Sequence, residues 1–330
     1  MSNPMTKFDD ITVVVQGPVQ TFQDREQEPG ITEKCLSSVR AYLPGATIIL
    51  STWPDQKLDG LDYDELVISE DPGPNIRNYH KDGSPQFYNN NRQIVSTLAG
   101  LQHVKTPYAI KLRSDNFLTG NAFVAMQQQF PKRGEPFSFL RERVVVSNVF
   151  TRRYAKGFEV AFHLSDFFYY GLTEDLLKIW DLELLPDLPS SQADSIRGGP
   201  GGFPIDCTQM FWLRALNKFY PDLSLTGLLD NRPEAIEQSN QCYANNLIIG
   251  SPADIGLGLC QKFSGNARIA RTKGKCAQWH FFEWQDLYRQ YCDVAFQPDV
   301  TLRQRVRLFL TRLLHVYPTK LETVLKLRKG

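Results

Sequence analysis

The stretch YAIKLRSDNFL, residues 108–118, combines an apolar strand pattern with three charged side chains. If the segment stays extended, Lys111, Arg113 and Asp115 project from one face of the strand and apolar residues project from the other. A carboxylate here offers the oxygen ligands that Mg²⁺ and Mn²⁺ prefer. Such a cation stabilises the charge that develops on a departing nucleoside diphosphate. Asp115 is therefore predicted to be a metal ligand.

The segments before this stretch alternate strand and helix signals, which is typical of a parallel α/β sheet. The predicted strands are ITVVVQG (11–17), ATIILSTW (46–53) and ELVISED (65–71), and the predicted helices are 32–45 and 88–104. Thr32 is the candidate N-cap of the first helix. Asp115 then follows the carboxyl end of the next strand, where open α/β sheets bind ligands.

The second half of the chain carries mixed signals. Residues 137–150 and 162–171 look rich in strand, residues 173–185 look helical, and a further helix is predicted after Asp206. The segment SIRGGPGGFPID, 195–206, is too rich in glycine and proline for either element. It is either a mobile loop over a cleft or a plain surface connection.

The composition, 330 residues with 42% hydrophobic and 22% charged side chains, predicts a soluble globular protein of one or two domains. No apolar run reaches the roughly 18 to 20 residues that cross a bilayer, and the start MSNPMTKFDD lacks the order of a secretory signal. The six cysteines form no CxxC pair, which disfavours a zinc knuckle or a disulfide scaffold. We therefore expect a cytoplasmic protein with reduced cysteines.

The net charge of +1 conceals a basic C-terminal segment. Residues 301–330 hold eight Lys or Arg and one acid, Glu322, for a net charge of +7, which leaves −6 for the rest. One helical stripe holds four apolar side chains, Leu302, Val306, Phe309 and Leu313. Such a helix either lies peripherally on an anionic membrane or docks on its own domain with a solvated basic face. The rest of the chain has no basic excess, and no nucleic-acid partner is expected.

Several blocks of the sequence resemble the WavE family of lipopolysaccharide-synthesis proteins. They are ITVVVQGPV (11–19), YLPGATIILSTW (42–53), NNNRQIVSTLAGL (89–101) and YAIKLRSDNFL (108–118), with weaker resemblance through FHLSDFFYYG (162–171) and WHFFEW (279–284). The resemblance implies a GT-A-type glycosyltransferase fold, with a Rossmann-like nucleotide-binding half and a mixed central sheet flanked by helices. It also implies a role in building lipopolysaccharide core or a related surface polysaccharide.

This resemblance divides the chain into two parts. Residues 1–295 form a single GT-A-like catalytic domain, with a nucleotide-binding half at about 8–120 and an acceptor half at about 121–295. Residues 296–330 form the basic amphipathic helical tail.

A charged triplet carries the implied metal site. The wider GT-A group has an Asp-x-Asp motif after the central strand, and the aligned triplet here is Arg113-Ser114-Asp115. The second acid matches and the first does not, so metal binding by Asp115 is implied while ribose recognition is in question. Arg113 could contact phosphate oxygens instead. A late histidine often completes the coordination in GT-A enzymes, which makes His280 a candidate ligand of Mn²⁺ or Mg²⁺, with a core histidine as the alternative.

Other contacts to the nucleotide sugar are implied by position within the fold. The residues are Gln16, Gly17 and Pro18 after the first strand, Thr52 and Trp53 after the second, Asn91 and Arg92 at a helix start, and Arg113, Ser114 and Asp115. A tryptophan can stack on the base, and helix amides with a guanidinium favour a diphosphate. Turn formation, core packing and helix capping are the alternative roles.

Two carboxylates are candidate catalytic residues. An inverting transfer needs a base within hydrogen-bond reach of the acceptor hydroxyl. Asp206 follows the glycine-rich segment and precedes a helix, with an N-cap as its alternative role. Asp166 lies in the aromatic stretch FHLSDFFYYG and could hold the acceptor sugar, with a buried structural hydrogen bond as its alternative.

The leading hypothesis is a metal-assisted glycosyltransferase. It moves a sugar from a nucleotide-sugar donor to a lipopolysaccharide or related glycan acceptor, lipid-linked or not, at the cytoplasmic face of the inner membrane. A nucleotidyltransferase of sugar activation is one alternative, although QGPVQTFQ (16–23) matches its glycine-rich basic loop poorly. A non-catalytic glycosyltransferase-like binding or assembly protein is the other, because the first aspartate is missing.

Overall fold

A seven-stranded mixed β-sheet forms the centre of the protein in a computed structural model that describes residues 7–19, 26–80, 82–192 and 203–327. The strands are β1 (Ile11–Gln16), β2 (Thr47–Thr52), β3 (Glu65–Ile68), β4 (Asn75–Tyr79), β5 (Pro85–Tyr88), β6 (Tyr108–Arg113), β7 (Asn116–Leu118), β8 (Val144–Ser147), β9 (Tyr154–Ala155), β10 (Phe158–Glu159), β11 (Phe168–Leu172), β12 (Leu247–Gly250) and β13 (Leu257–Leu259).

Helices cover both faces of this sheet and continue beyond it. They are α1 (Ile31–Tyr42), α2 (Asn90–Gln102), α3 (Ala122–Gln128), α4 (Thr173–Trp180), α5 (Cys207–Asn217), α6 (Pro233–Asn246), α7 (Pro252–Ile255), α8 (Thr272–Lys275), α9 (Phe281–Tyr291), α10 (Leu302–His315) and α11 (Tyr317–Leu327). Short 3₁₀ turns in the described part of the chain lie at Ser190–Gln192 and Gln261–Phe263.

The sheet order is β12-β8-β11-β6-β1-β2-β3. The half from β6 to β3 is parallel, whereas β11 runs antiparallel to both of its neighbours, β6 and β8. The mixed α/β class with a central sheet and flanking helices is therefore confirmed, and it is consistent with a Rossmann-like fold. The GT-A assignment and the boundary at residue 295 stay predictions.

The first strand lies in the interior of the sheet, between β6 and β2. All of Ile11–Gln16 is buried, as expected for a parallel strand covered on both faces. In the parallel pairing, Gln16 lies opposite Arg113 of β6 and Ser51 of β2. The three strands thus end at one edge of the sheet, which brings the residues after them together.

The strand within residues 108–118 ends before Asp115, so Asp115 follows its carboxyl end as the sequence predicted. β6 stops at Arg113, Ser114 and Asp115 form a turn, and the following β7 pairs with β13 outside the main sheet. The predicted alternation therefore fails beyond Arg113, and Asp115 does not continue the face that carries Lys111.

Several helix boundaries also differ from the predictions. α1 begins at Ile31 after Gly30, whose φ of 70° is left-handed, so Thr32 is a buried helical residue and not the N-cap. The helix predicted from residue 88 begins at Asn90, because a β4–β5 hairpin precedes it. α4 ends at Trp180 instead of continuing to 185.

Part of the glycine-rich segment lies outside the described residues, namely 195–202, so the mobile-loop hypothesis stays a prediction. Its end, Asp206, is the N-cap of α5 in a capping box with Gln209, as the alternative role predicted. At the C-terminus the basic segment forms α10 and α11. None of the helices within the described ranges has the length and apolar character needed to span a bilayer.

Candidate active site

A cavity of about 770 Å³ lies at the carboxyl ends of β1 and β6. Ten of the thirteen predicted site residues line it, namely Gln16, Gly17, Pro18, Trp53, Arg92, Arg113, Ser114, Asp115, Asp166 and Asp206. These residues come from distant parts of the chain. The structure therefore brings together most of the side chains that the sequence singled out.

The remaining three predicted residues do not line this cavity. Asn91 exchanges two hydrogen bonds with the backbone of Leu185, so its amide fixes the segment after α4. Thr52 is fully buried at the end of β2. His280 is the N-cap of α9 in a capping box with Glu283.

An arginine and an aspartate in the same turn form the centre of the site. The Nε and Nη2 atoms of Arg113 donate to the two carboxylate oxygens of Asp115, each at 2.8 Å. Nη1 of Arg113 lies 3.8 Å from an oxygen of Asp166. The guanidinium also lies 4.7 Å from the centre of the Phe167 ring, within reach of a cation–π contact. A permanent cation is thus held between two acids.

The charge states of this pair follow from its surroundings. Burial by itself raises the pKa of the Asp115 carboxyl, but the Arg113 guanidinium, supported by Lys262 and Lys111, lowers it below its usual value. Burial likewise opposes the charge on Arg113, and the neighbouring carboxylates of Asp115 and Asp166 outweigh it, so that the pKa of Arg113 is raised. Both side chains are ionised at neutral pH.

The residues at the end of β1 and just after it accept hydrogen bonds from Ser114 in the Arg113–Asp115 turn. The hydroxyl of Ser114 donates to the Pro18 carbonyl at 2.6 Å, and the Ser114 amide donates to the Gln16 carbonyl at 2.9 Å. Gly17 has a φ of 121°, and a Cβ there would lie 3.0 Å from the Ser114 hydroxyl oxygen. Glycine is therefore required by both the backbone angle and the close approach. In this structure Gln16, Gly17 and Ser114 build the floor of the cavity.

Lys111 shares a face of β6 with Arg113, as the extended pattern predicted, but it does not line the cavity. Its side chain is fully buried, its ammonium donates to the Asp166 carbonyl, and it lies 4.7 Å from the Trp180 ring centre. Burial lowers the pKa of Lys111 to about 7, against the opposing effect of Asp166. The lysine therefore anchors the backbone that carries the Asp166 carboxylate.

Two residues that were predicted to contact the nucleotide, Arg92 and Trp53, are buried. Arg92 donates to Asp71 through Nε at 2.7 Å and is buried at the start of α2. Trp53 is only 1% exposed, so stacking on a base would require movement of its neighbours. Both residues still border the cavity and shape its wall.

Asp206 carries one of the two predicted catalytic carboxylates, and its surroundings include a histidine. Its Oδ1 accepts from the amide and the hydroxyl of Thr208, at 3.1 and 2.8 Å, and lies 3.7 Å from Nε2 of His163. Burial alone raises the pKa of Asp206, but His163, Arg152 and the Thr208 hydrogen bonds lower it to about 2. The side chain is 33% exposed, which leaves this carboxylate accessible from the cavity as an anion.

His163 is a cavity residue that the sequence interpretation missed. Its Nδ1 lies 3.0 Å from the Phe150 carbonyl, which accepts from the protonated nitrogen. Its Nε2 is buried and has no hydrogen-bond partner among the described residues. Burial lowers the pKa of His163 to about 4, against the opposing effect of Asp206. One signal was available, since the histidine stands three residues before Asp166 in FHLSDFFYYG.

Two further cations, Arg152 and Lys262, line the cavity and were also missed. Among the described residues no carboxylate forms an ion pair with Arg152. Lys262 lies on the segment that also brings Phe263 near Arg113, with its ring centre 5.5 Å from the guanidinium. The cavity thus holds guanidinium and ammonium groups suited to phosphate oxygens.

The residues around Asp115 do not fit the predicted divalent cation as they stand. Both carboxylate oxygens already accept from Arg113. No group of three His, Cys, Asp or Glu side chains that could hold a metal occurs within the described ranges. His280, the second predicted ligand, borders neither Asp115 nor the cavity. The metal cofactor stays a prediction.

The parallel half-sheet, with a polar cavity at its carboxyl edge, is consistent with a Rossmann-like α/β fold, a class in which ligands bind at strand ends. The model of the WavE lipopolysaccharide synthesis family matches residues 11–315. The chain therefore belongs to this family, as its sequence blocks indicated. Comparison with curated proteins gives no match.

Proposed function

We propose that this protein is a glycosyltransferase that moves a sugar from a nucleotide-sugar donor to a lipopolysaccharide core or related surface-glycan acceptor. The observation that carries the proposal is one cavity in which the Arg113–Asp115 turn, the end of β1 and the Asp206 carboxylate meet. Family membership supports the setting in lipopolysaccharide synthesis.

The donor binds over the carboxyl ends of β1 and β6, with its diphosphate toward Arg113 and Arg152. Arg113 has a fixed orientation because Asp115 holds two of its nitrogens, and Nη1 still points toward Asp166. A preoriented guanidinium stabilises phosphate charge without reorganising during the reaction. The positive charge of Arg113 stabilises the leaving nucleoside diphosphate most, because the negative charge on that group grows as the bond breaks.

The acceptor side of the cavity contains Asp206 and His163. The acceptor hydroxyl oxygen forms a bond to the anomeric carbon while the bond from that carbon to the diphosphate oxygen breaks. The hydroxyl proton passes to the Asp206 carboxylate, and the nucleoside diphosphate leaves with the electron pair. An accessible anionic carboxylate suits this role in an inverting transfer. Asp166, close to Arg113, lies on the donor side.

The test is to incubate the purified chain with a panel of nucleotide sugars and to measure thermal stabilisation and slow hydrolysis of each donor. We expect one donor class to raise the melting temperature and to be hydrolysed, and the Arg113→Ala variant to lose both effects. A nucleotidyltransferase would instead release pyrophosphate from a nucleoside triphosphate and a sugar 1-phosphate. The absence of any response to every donor contradicts the proposal.

A second candidate, a glycan-binding or assembly protein without turnover, is favoured by one observation. Both oxygens of Asp115 are engaged by Arg113, so the acid at the strand end is not open to a ligand. This candidate predicts binding of a donor or glycan with no hydrolysis and no transfer, even when acceptor is supplied.

A further inference from the structure

The C-terminal helix α10 docks onto the protein with its charged side. Arg305 donates to both oxygens of Asp286 on α9, at 2.6 and 2.9 Å. Arg312 donates to Glu283 at 2.8 Å and to the Cys276 carbonyl at 2.8 Å. The sequence alternatives placed the arginines in solvent or against a membrane. These two face inward instead.

Buried ion pairs fix this orientation. Arg312 and Glu283 are 6% and 5% exposed, and Glu283 also accepts from Arg153 at 2.6 Å. Breaking a buried pair leaves an uncompensated charge, so rotation of α10 about its axis is strongly opposed. Thr323 of α11 donates to the Lys156 carbonyl at 3.0 Å, which holds the second helix as well.

The docking of charged residues leaves the apolar side chains exposed. We name them the apolar face; it comprises Leu302, Val306, Phe309, Leu310, Leu313 and Leu314 of α10 and Tyr317, Leu321 and Leu325 of α11. Their exposed fractions run from 38% to 77%. More than half of the exposed large apolar side chains in the described part of the chain belong to this face. Such a concentration marks an interaction surface.

The charges beside the apolar face have one dominant sign. Arg303, Arg307 and Lys320 are exposed on α10 and α11, and the exposed acid on these helices is Glu322. Helices that lie in a membrane interface combine apolar residues with Lys and Arg on the adjoining surface. The long stems of these side chains let the charge reach lipid headgroups while the methylenes stay apolar.

We propose that α10 and α11 form a docking face for the surface of an anionic phospholipid bilayer. The charge complementarity selects this occupant, because the exposed basic residues flank the apolar face on the same two helices. The proposal goes beyond the proposed reaction and does not depend on it, since none of the residues of the apolar face lines the cavity.

The experiment measures co-sedimentation of the full chain with vesicles of phosphatidylcholine alone and of phosphatidylcholine with phosphatidylglycerol, without any donor. We expect binding to the anionic vesicles that weakens as salt rises. The double variant Phe309→Ser with Leu314→Ser should bind about 100-fold more weakly, because two exposed apolar groups no longer enter the lipid. The double variant Arg303→Gln with Arg307→Gln should lose about tenfold or more on anionic vesicles only.

Matched controls separate this surface from general effects. Ile68→Ser removes an exposed apolar side chain from β3, and Lys57→Gln with Lys105→Gln removes two exposed charges elsewhere. Both should bind vesicles as the unmodified chain does. All variants change exposed positions, and an unchanged melting temperature confirms that each one folds.

Two results would overturn the proposal. One is failure of the unmodified chain to bind anionic vesicles at low salt. The other is a concentration-dependent dimer that the Phe309→Ser, Leu314→Ser variant abolishes while vesicle binding is absent, which would assign the face to a second copy. Donor hydrolysis in solution is measured separately, so failure of the membrane proposal leaves the proposed reaction testable.

Discussion

The Arg113 guanidinium donates two parallel hydrogen bonds to the carboxylate of Asp115, which lies two residues beyond the strand that ends at Arg113. The resemblance to GT-A enzymes aligns Arg113 with the first acid of an Asp-x-Asp motif, and in the structure this arginine binds Asp115, which is aligned with the second acid. A built-in cation therefore occupies the part of the cavity where the sequence predicted a metal ion. Each member of the pair holds the other in position for a ligand.

Replacing Asp115 by Asn should abolish sugar transfer, with a loss of at least about 100-fold, because Arg113 then loses its charged partner. The free energy of unfolding should fall by about 1–3 kcal/mol, since charge-assisted hydrogen bonds are weakened. Activity assays and chemical denaturation measure the two effects. Asp62→Asn is the matched control, because Asp62 forms an exposed pair with Arg40 at 3.0 Å. This substitution should leave the activity unchanged and should change the free energy of unfolding by no more than about 1 kcal/mol.

Replacing Arg113 by Ala should raise the dissociation constant of the donor about 10- to 100-fold, because hydrogen bonds to a charged phosphate are lost. Arg113→Lys should recover only part of the affinity, since an ammonium cannot make the parallel pair of bonds. Calorimetric titration with the donor identified in the stabilisation assay gives these values. An unchanged dissociation constant in Arg113→Ala would show that the arginine does not contact phosphate.

Mn²⁺ binding in the absence of donor tests the competition between metal and arginine. In the unmodified chain both oxygens of Asp115 accept from Arg113, so a metal must displace a guanidinium. The Arg113→Ala variant frees the carboxylate and should bind Mn²⁺ at least about tenfold more tightly, as seen by electron paramagnetic resonance. Adding Asp115→Asn to this variant should remove the gain. Tighter binding by the unmodified chain would contradict the competition.

Replacing Asp206 by Asn should lower kcat by about 10²- to 10⁴-fold, the usual contribution of a general base. Asn is as good an N-cap as Asp, so α5 should retain its start and the protein its stability. This pairing separates catalysis from capping. Asp206→Ala should lose kcat and also about 1 kcal/mol of stability. If Asp206→Asn stays fully active, Asp206 is not the base and the proposed mechanism is contradicted.

Lys111 should make stability depend on pH just above neutrality. Burial lowers its pKa in the folded protein to about 7, whereas an unfolded lysine titrates near 10.4. Between these values the unfolded chain binds more protons, so the free energy of unfolding rises with pH. Below pH 7 the lysine is charged in both states, and the cost of burying the charge is fully present.

The Lys111→Met variant removes this titration and nearly conserves volume. The stability of the unmodified chain relative to Lys111→Met should increase by about 2 kcal/mol from pH 7 to pH 9, as measured by urea denaturation. Cysteines and tyrosines titrate in both proteins and cancel in the difference. A difference that does not change with pH would show that Lys111 is charged in the folded protein throughout this range.

Local patterns predicted the parts of the fold that depend on near neighbours in the chain. The apolar run at residues 11–17 indicated a buried strand, and β1 is buried throughout. Asp206 was a candidate N-cap because a small acid precedes a helical pattern, and its side chain accepts from the Thr208 amide. Seven predicted site residues, Gln16, Gly17, Pro18, Trp53, Arg113, Ser114 and Asp115, share the cavity because parallel strands end at one edge of a sheet.

Other features depend on residues that are distant in the chain. The extended pattern put Lys111 and Arg113 on one face of β6, and the Asp166 carbonyl, 55 positions away, accepts from the buried lysine. His280, predicted to be a metal ligand, is the N-cap of α9 with Glu283. The residues near His163 in the sequence did not predict its proximity to Asp206, which lies 43 positions further along the chain.

The sequence by itself determined that this chain forms an α/β sheet, that Arg113 and Asp115 come at the end of a central strand, and that residues 301–330 carry a basic amphipathic pattern. Periodicity and capping act over a few residues, so they can be read without the fold. Only the tertiary structure decided that Arg113 binds Asp115 and that α10 turns Arg305 and Arg312 inward. A helical pattern shows which side chains share a face, but the carboxylates of Glu283 and Asp286 determine which face docks.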